Sequence, residues 1–286
     1  MLAVAAAPAK LNLALELVGR RPDGFHLLAA VSQTVAWSDL VAAALNSGPP
    51  EPGGIPVAVR GPFRDGIPEG PENIAARAAG ALQRRGLGRG VASVAIWKRI
   101  PTKSGLGGGS SDAAAVLRLS AGDDWSVGVA EAALECGADV PFALRGGAAL
   151  LGGVGELLTP LPPLAPTVIL VAVLGAVETA RAYASVRSEE LTDGSRAAAV
   201  AEALRKGDLP GPELLGSALQ AAALRVAPEL SPRLERLQAA APHLSWAMTG
   251  SGGAFFALVG AAEAWPVLAA CRAALPGVPI RATAPA

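Results

Sequence analysis

The chain has 286 residues, enough for two domains, with 24 Lys+Arg balanced by 24 Asp+Glu and a hydrophobic content of 51%. Balanced charge leaves no basic field to hold a nucleic-acid backbone, so a polynucleotide partner is excluded and only local clusters can bind phosphate. No uncharged apolar run reaches the ~18 residues of a spanning helix, so a soluble protein with no membrane partner is expected; with only Cys136 and Cys271, no disulfide framework or cysteine metal site is indicated, and a reducing cytoplasm fits.

Residues 1–8 are apolar but short and lack a basic segment, so they read as a first strand and not as a signal peptide. Over residues 9–17 the apolar side chains alternate, sending Leu11, Leu13, Leu15 and Leu17 to a core while Lys10 and Asn12 share the other face. That second face reads equally as the exposed side of a half-buried strand or as two polar groups presented together. Residues 19–26, Gly-Arg-Arg-Pro-Asp-Gly-Phe-His, form a Pro-Asp-Gly turn carrying Phe25 and His26. Extended apolar structure resumes over 31–44. The Pro- and Gly-rich stretch 46–72 reads as a variable loop with a short strand at 55–60, and Asn73 then caps an alanine-rich helix over 74–84.

An apolar, β-branched strand over residues 91–100 is stopped by Pro101, which removes a ladder donor. The loop that follows, Ile100-Pro-Thr-Lys-Ser-Gly-Leu-Gly-Gly-Gly-Ser-Ser-Asp-Ala-Ala-Ala115, runs into a helix over 113–119. Its glycines permit positive φ and close approach of backbone to a ligand, and Ser110 or Ser111 can cap the helix. Loose N–H groups and the positive end of the helix dipole then converge on one anion site. The letters exclude the better-known cradles. A Walker A loop ends Gly-Lys-Ser/Thr, a dinucleotide fingerprint would place its third glycine on Ser110, and a Gly-x-Ser-x-Gly elbow meets Asp112.

A helix over 126–136 is stopped by Gly137, and Pro141 in a first turn starts another with Asp139 as its cap. Two short strands lie among Gly146 to Gly155. The proline-rich run 160–166 marks a boundary, giving domains 1–160 and 161–286. Beyond it come a buried strand over 167–174, a helix from Thr179, alanine-rich helices to about 241 broken at 207–212, and a glycine turn between two strands within 245–259. A helix over 261–275 and a strand near Ile280 close the chain.

Five segments stand in the order of one family: Pro8-Ala-Lys-Leu-Asn-Leu, residues 19–26, the glycine loop, Gly137-Ala-Asp-Val-Pro-Phe, and Thr249-Gly-Ser-Gly-Gly-Ala-Phe-Phe-Ala-Leu. The loop resembles the ATP loop of the GHMP kinases. With Lys10-x-Asn12 and the turn ending in His26, the chain resembles the 4-diphosphocytidyl-2-C-methyl-D-erythritol kinases of the non-mevalonate isoprenoid pathway. The resemblance implies an α+β GHMP kinase fold, with an N-terminal domain like the second domain of ribosomal protein S5 and a ferredoxin-like C-terminal domain. It implies transfer of the ATP γ-phosphoryl group, Mg²⁺ accompanying the nucleotide, to the 2-hydroxyl of a small molecule carrying cytidine diphosphate.

By match of motif, Asp139 is implied as general base and Lys10 as its cationic partner. Asn73, Pro101, Lys103, Ser104, Gly105, Leu106, Gly107, Gly108, Gly109, Ser110 and Ser111 are implied to bind ATP. Asn12, Phe25, His26, Thr179 and Tyr183 are implied to bind the acceptor, with Phe25 and Tyr183 on the faces of the cytosine and His26 at its edge; such stacking contributes ~1–3 kcal/mol. No protein-held metal is implied, and a monomer or homodimer is expected. The chain departs from the family pattern at Phe25, commonly Tyr, at Lys103 and Ser104, where small residues are usual, and at Ser217-Ala-Leu-Gln220, where many members carry Asn-Asp-Leu-Glu. A GHMP kinase for another acceptor, or a silent nucleotide sensor, are the rival readings; retention of Lys10 and Asp139 argues against the sensor.

Overall fold

Two long strands open the chain in a computed structural model that describes residues 1–46, 54–124 and 126–286; residues 47–53 of the Pro- and Gly-rich loop lie outside the described residues. They are β1 (Leu2–Arg20) and β2 (His26–Asn46), joined by the Pro-Asp-Gly turn, where Arg21 N–H donates to the Phe25 carbonyl at 2.7 Å. Then follow β3 (Val57–Arg60), α1 (Ile74–Arg84), β4 (Gly90–Trp97), α2 (Gly108–Ala121), α3 (Val127–Cys136), α4 (Val140–Arg145), β5 (Ala148–Gly152), β6 (Leu157–Leu161) and β7 (Val168–Val173). After them come α5 (Thr179–Ala184), α6 (Ser195–Lys206), β8 (Gly216–Ser217), α7 (Gln220–Val226), α8 (Leu230–Ala240), β9 (Ala247–Met248), β10 (Ala254–Val259), α9 (Ala264–Ala274) and β11 (Ile280–Thr283). The chain forms two compact units: Met1–Ala9 with Trp37–Thr102 and Gly107–Gly146, and Lys10–Ala36 with Lys103–Leu106 and Gly147–Ala286.

In the first unit β3 pairs in parallel with β4, and β4 pairs antiparallel with the end of β2, from Leu40 opposite Trp97 to Asn46 opposite Gly90. Helix α1 is built from alanine because it is covered on two sides. Ala75, Ala76 and Ala79 join Val57, Val94 and Ile96 in one core cluster, while Ala78, Ala81 and Leu82 join Ala113, Leu117 and Val129 in another. Small side chains let the helices approach closely, and a larger residue there costs ~1–3 kcal/mol in overpacking. Helix α2 begins five residues before the expected Ala113. Its cap is Gly107 at φ +68°, so Ser110 and Ser111 lie inside the first turn and neither caps it.

In the second unit the start of β2 pairs with β5, and β5 with β6. The two-residue strand β8 pairs in parallel with β1, Ala14 opposite Gly216, inside a stretch that its alanine content predicts as wholly helical. A further sheet has the order β11-β7-β10-β9 with every pairing antiparallel. Read with the helices between its strands, it is the β-α-β-β-α-β ferredoxin-like arrangement that the resemblance implies. Strands β7 and β10 read as continuous apolar runs because both their faces are covered: Ile169, Leu170, Val171, Phe255 and Phe256 are all fully buried.

Candidate active site

The glycine loop is held at its entry by backbone bonds. The carbonyls of Lys103, Ser104 and Leu106 accept the N–H groups of Val177, Ala254 and Lys10, each at 2.9 Å. Gly105, at φ +81°, is obligatory: a Cβ there would lie 2.5 Å from the Thr249 carbonyl oxygen. Among the described residues Lys103 is the one non-glycine residue at positive φ, 52°, and its side chain is exposed. Past Gly107 the chain enters α2, whose first N–H groups, on Gly108, Gly109 and Ser110, have no acceptor within the helix. These donors, the dipole of a 14-residue helix and the exposed Gly109 suit a nucleotide phosphate chain.

Other predicted nucleotide residues are engaged structurally. Ser111 is buried and its hydroxyl donates to the Pro8 carbonyl. Asn73 caps α1, accepting from Ala75 N–H at 2.9 Å and donating to the Pro68 carbonyl at 2.7 Å. Pro101 and Leu106 are buried. Among the described residues no group of three His, Cys, Asp or Glu is placed to hold a metal ion.

The second face of β1 is not the exposed side of a half-buried strand. Lys10, Asn12 and Glu16 are 7%, 3% and 2% exposed. The Lys10 ammonium donates to Asn12 Oδ1 at 2.6 Å, Asn12 Nδ2 donates to Ser32 Oγ at 2.7 Å, and Asn12 N–H donates to Thr249 Oγ1 at 2.7 Å. Glu16 accepts the Ala197 N–H at 2.7 Å in the first turn of α6, where a carboxylate complements the helix dipole. Both β1 readings predicted the alternation; only the surrounding chain decided that both faces are covered.

His26 and Tyr183, 157 positions apart by their numbers, meet with ring centroids at 5.5 Å and planes at 40°. Burial first, and then the Arg20 guanidinium, hold the His26 imidazole below its ordinary pKa. It is therefore neutral at pH 7, with one ring nitrogen donating and one accepting. Phe25 stays at the turn with its ring 64% exposed. Thr179, at the start of α5, shares a 2.8 Å hydrogen bond with Ser251. The far end of α5 is tied by Arg225, which pairs with both Glu190 oxygens at 2.6 and 2.8 Å and donates to the Ser185 carbonyl.

Asp139, in the first unit, occupies the N-cap position of α4 at φ −82° and ψ −13°, yet its side chain makes no capping bond. Its αR backbone differs from the extended cap geometry, and Pro141 removes one N–H that a cap would bind.

One cluster escapes the sequence altogether. Beneath the start of α2, the Lys98 ammonium pairs with Asp39 and, at 2.6 Å, with Asp112, all three side chains being at least nine-tenths buried. Asp39 also accepts the N–H groups of Arg99 and Ile100. Burial would lower the Lys98 pKa, but Asp112 and then Asp39 outweigh it and raise it. For Asp112, burial dominates over the attraction of Lys98, and with Asp39 nearby its pKa is pushed up to about 7; among the described residues its Oδ1 has no hydrogen-bond partner. A Cβ on Gly108 would lie 3.3 Å from the Lys98 ammonium, so the cluster supports the glycine turn at the start of α2 from below. A lysine at a strand end and a lone aspartate in an apolar strand are the only signals that the sequence offered.

Comparison with known proteins places these features in one lineage. The family model of the GHMP kinases N terminal domain matches residues 73–147. The 4-diphosphocytidyl-2-C-methyl-D-erythritol kinase of Pelotomaculum thermopropionicum is 37% identical over 267 residues, spanning 90% of this chain and 89% of the relative. That of Gloeobacter violaceus is 39% identical over 267 residues, spanning 88% and 84%. Among solved structures, a 4-(cytidine 5'-diphospho)-2C-methyl-D-erythritol kinase aligns with a TM-score of 0.76 at 34% identity, over 99% of this chain and 100% of that one. A homoserine kinase from Cytophaga hutchinsonii aligns with a TM-score of 0.70 over 99% of this chain and 93% of its own, but at 18% identity it shares the fold alone.

Proposed function

The chain belongs to the 4-diphosphocytidyl-2-C-methyl-D-erythritol kinases, a family of GHMP kinases, and from that premise we propose how its residues divide the work. Its activity is ATP-dependent phosphorylation of the 2-hydroxyl of 4-diphosphocytidyl-2-C-methyl-D-erythritol in the non-mevalonate isoprenoid pathway. The observation that carries the assignment of roles is the buried Lys10–Asn12 pair, on the residue whose N–H bonds the glycine loop at Leu106.

Asp139 takes the proton of the acceptor hydroxyl, and Lys10, oriented by Asn12, stabilises the negative charge that develops there. Phosphoryl transfer asks chiefly for positioning and charge neutralisation, so a modest base suffices. ATP would supply the phosphoryl group, and a Mg²⁺ accompanying it would offset the charge on the phosphate oxygens. Gly105, Gly107, Gly108, Gly109 and Ser110 receive the phosphates through backbone N–H groups. Pro101, Ser104, Leu106 and Ser111 fix that turn, Asn73 caps the neighbouring α1, and the exposed Lys103 adds a cation beside the turn. His26 reads the cytosine edge with one donor and one acceptor, Tyr183 and Phe25 supply rings, and Thr179 contacts the acceptor from the start of α5. The reading carries with it a cytoplasmic enzyme, monomeric or homodimeric, with no nucleic-acid partner, functionally divided near 160/161.

A panel of acceptors in an ADP-release assay tests this, with the phosphate position read by NMR. The cytidylyl acceptor is expected to react at its 2-hydroxyl, and 2-C-methyl-D-erythritol 4-phosphate, lacking the cytidine, to react poorly. Efficient phosphorylation of the truncated compound would overturn the cytidine pocket.

A further inference from the structure

The side chain of Asn12 is two-sided, and its orientation matters because Lys10 can only donate. As it stands, Oδ1 faces the ammonium at 2.6 Å and Nδ2 faces the Ser32 hydroxyl at 2.7 Å. Turned by half, the amide would present its NH₂ group to an ammonium, donor against donor. The Asn12 backbone is anchored separately, its N–H donating to Thr249, so the amide is free to rotate while the main chain stays in place. What stops it is a partner at each end. Lys10, Asn12 and Ser32 are 7%, 3% and 1% exposed, so water cannot replace a lost partner. Ser32 is itself fixed by the sheet, in register with Ala149 of β5.

We infer that Ser32 is a positioning residue for phosphoryl transfer, acting through Asn12 to hold the Lys10 ammonium in place. Remove its hydroxyl and the buried NH₂ of Asn12 is left unsatisfied. The amide then turns toward another acceptor and withdraws Oδ1 from Lys10. No role assigned to the glycine loop or the base involves Ser32, and nothing in the sequence singles it out: it is one serine in an apolar strand. The inference rests on the proposed role of Lys10.

The test is a double-mutant cycle in steady-state turnover of the cytidylyl acceptor, run beside NMR of the Asn12 side-chain amide. Ser32→Ala is expected to lower kcat about tenfold while the KM for ATP stays within about twofold, and Ser32→Thr, which keeps the hydroxyl, to recover most of the loss. In an Asn12→Ala background, Ser32→Ala is expected to add nothing, because the link it cuts is already gone. The Asn12 amide protons should exchange slowly in the wild type and in Ser32→Thr, and quickly in Ser32→Ala. A wild-type kcat in Ser32→Ala, an equal loss in the Asn12→Ala background, or unchanged amide exchange overturns the inference. Failure of the unmutated protein to use the cytidylyl acceptor overturns the functional reading instead, and the amide measurement, which needs no substrate, still decides the link from Ser32 to Asn12.

Discussion

Each of the two units buries a lysine, and the neighbours that fix each one differ in kind. Lys98 sits between two carboxylates, Asp39 and Asp112, whereas Lys10 meets the neutral amide of Asn12, itself backed by Ser32. The first arrangement offsets charge locally and pins the strand end to the helix that the glycine loop enters. The second orients an ammonium without Asn12 cancelling its charge. Carboxylates pin one ammonium to the structure around it, and an amide dipole backed by a hydroxyl orients the other.

The same substitution at both sites is the strongest way to break that contrast. Lys98→Met strands two buried carboxylates and should destabilise the fold by ~3–5 kcal/mol, read as a lower urea midpoint. Lys10→Met removes the hydrogen bond to Asn12, and on the proposed role turnover should fall by orders of magnitude. Wild-type turnover in Lys10→Met, or an unchanged urea midpoint in Lys98→Met, would erase the distinction.

A pH series sharpens it. The Asp112 carboxyl is raised from 3.8 to about 7, chiefly by burial, so between those values the folded protein holds a proton that the unfolded chain has released. Stability from this group is therefore fully present below pH 3.8 and lost as pH rises through about 7. In Asp112→Asn the urea midpoint should lose that decline; a decline of unchanged slope would assign it to other groups.

Smaller effects are expected where pairs reach solvent. The Arg225–Glu190 pair is 28% and 15% exposed at its side chains, and hydrogen bonding from Arg225 holds the Glu190 carboxyl down to about 2. Arg225→Ala should cost about 1 kcal/mol, well short of Lys98→Met, and should raise the KM for the cytidylyl acceptor more than that for ATP, because α5 carries Tyr183. A larger rise for ATP would detach the pair from the nucleobase end. The smallest expected change is at His26, where Arg20→Met should move the imidazole titration upward in NMR without restoring it fully, since burial is the larger cause of its lowered pKa.

Much of the architecture was legible from residues alone. The alanine spacing after Asn73 predicts a helix over 74–84, and α1 is Ile74–Arg84. The glycine loop, the strand it leaves and the strand pair around the second glycine turn were equally legible, because hydrophobic period, glycine and proline act within a few residues of where they stand. Helix α2 starts early because its cap is made by backbone conformation at Gly107, which a search for serine caps does not see.

By itself, then, the order of residues determined the local elements, the glycine-rich turn and the five motif segments that identify the family. Tertiary structure decided which polar groups meet. Asp39 reaches Lys98 across 59 positions, and Asn12 reaches Ser32 across 20 and Thr249 across 237. It also decided that the polar face of β1 is covered and that Tyr183 lies against His26. The physical reason is range. Backbone preferences are set by neighbours in the chain, whereas burial and charge pairing are set by neighbours in space, and a lysine reads the same in sequence whether it ends in water, between two carboxylates or against an amide.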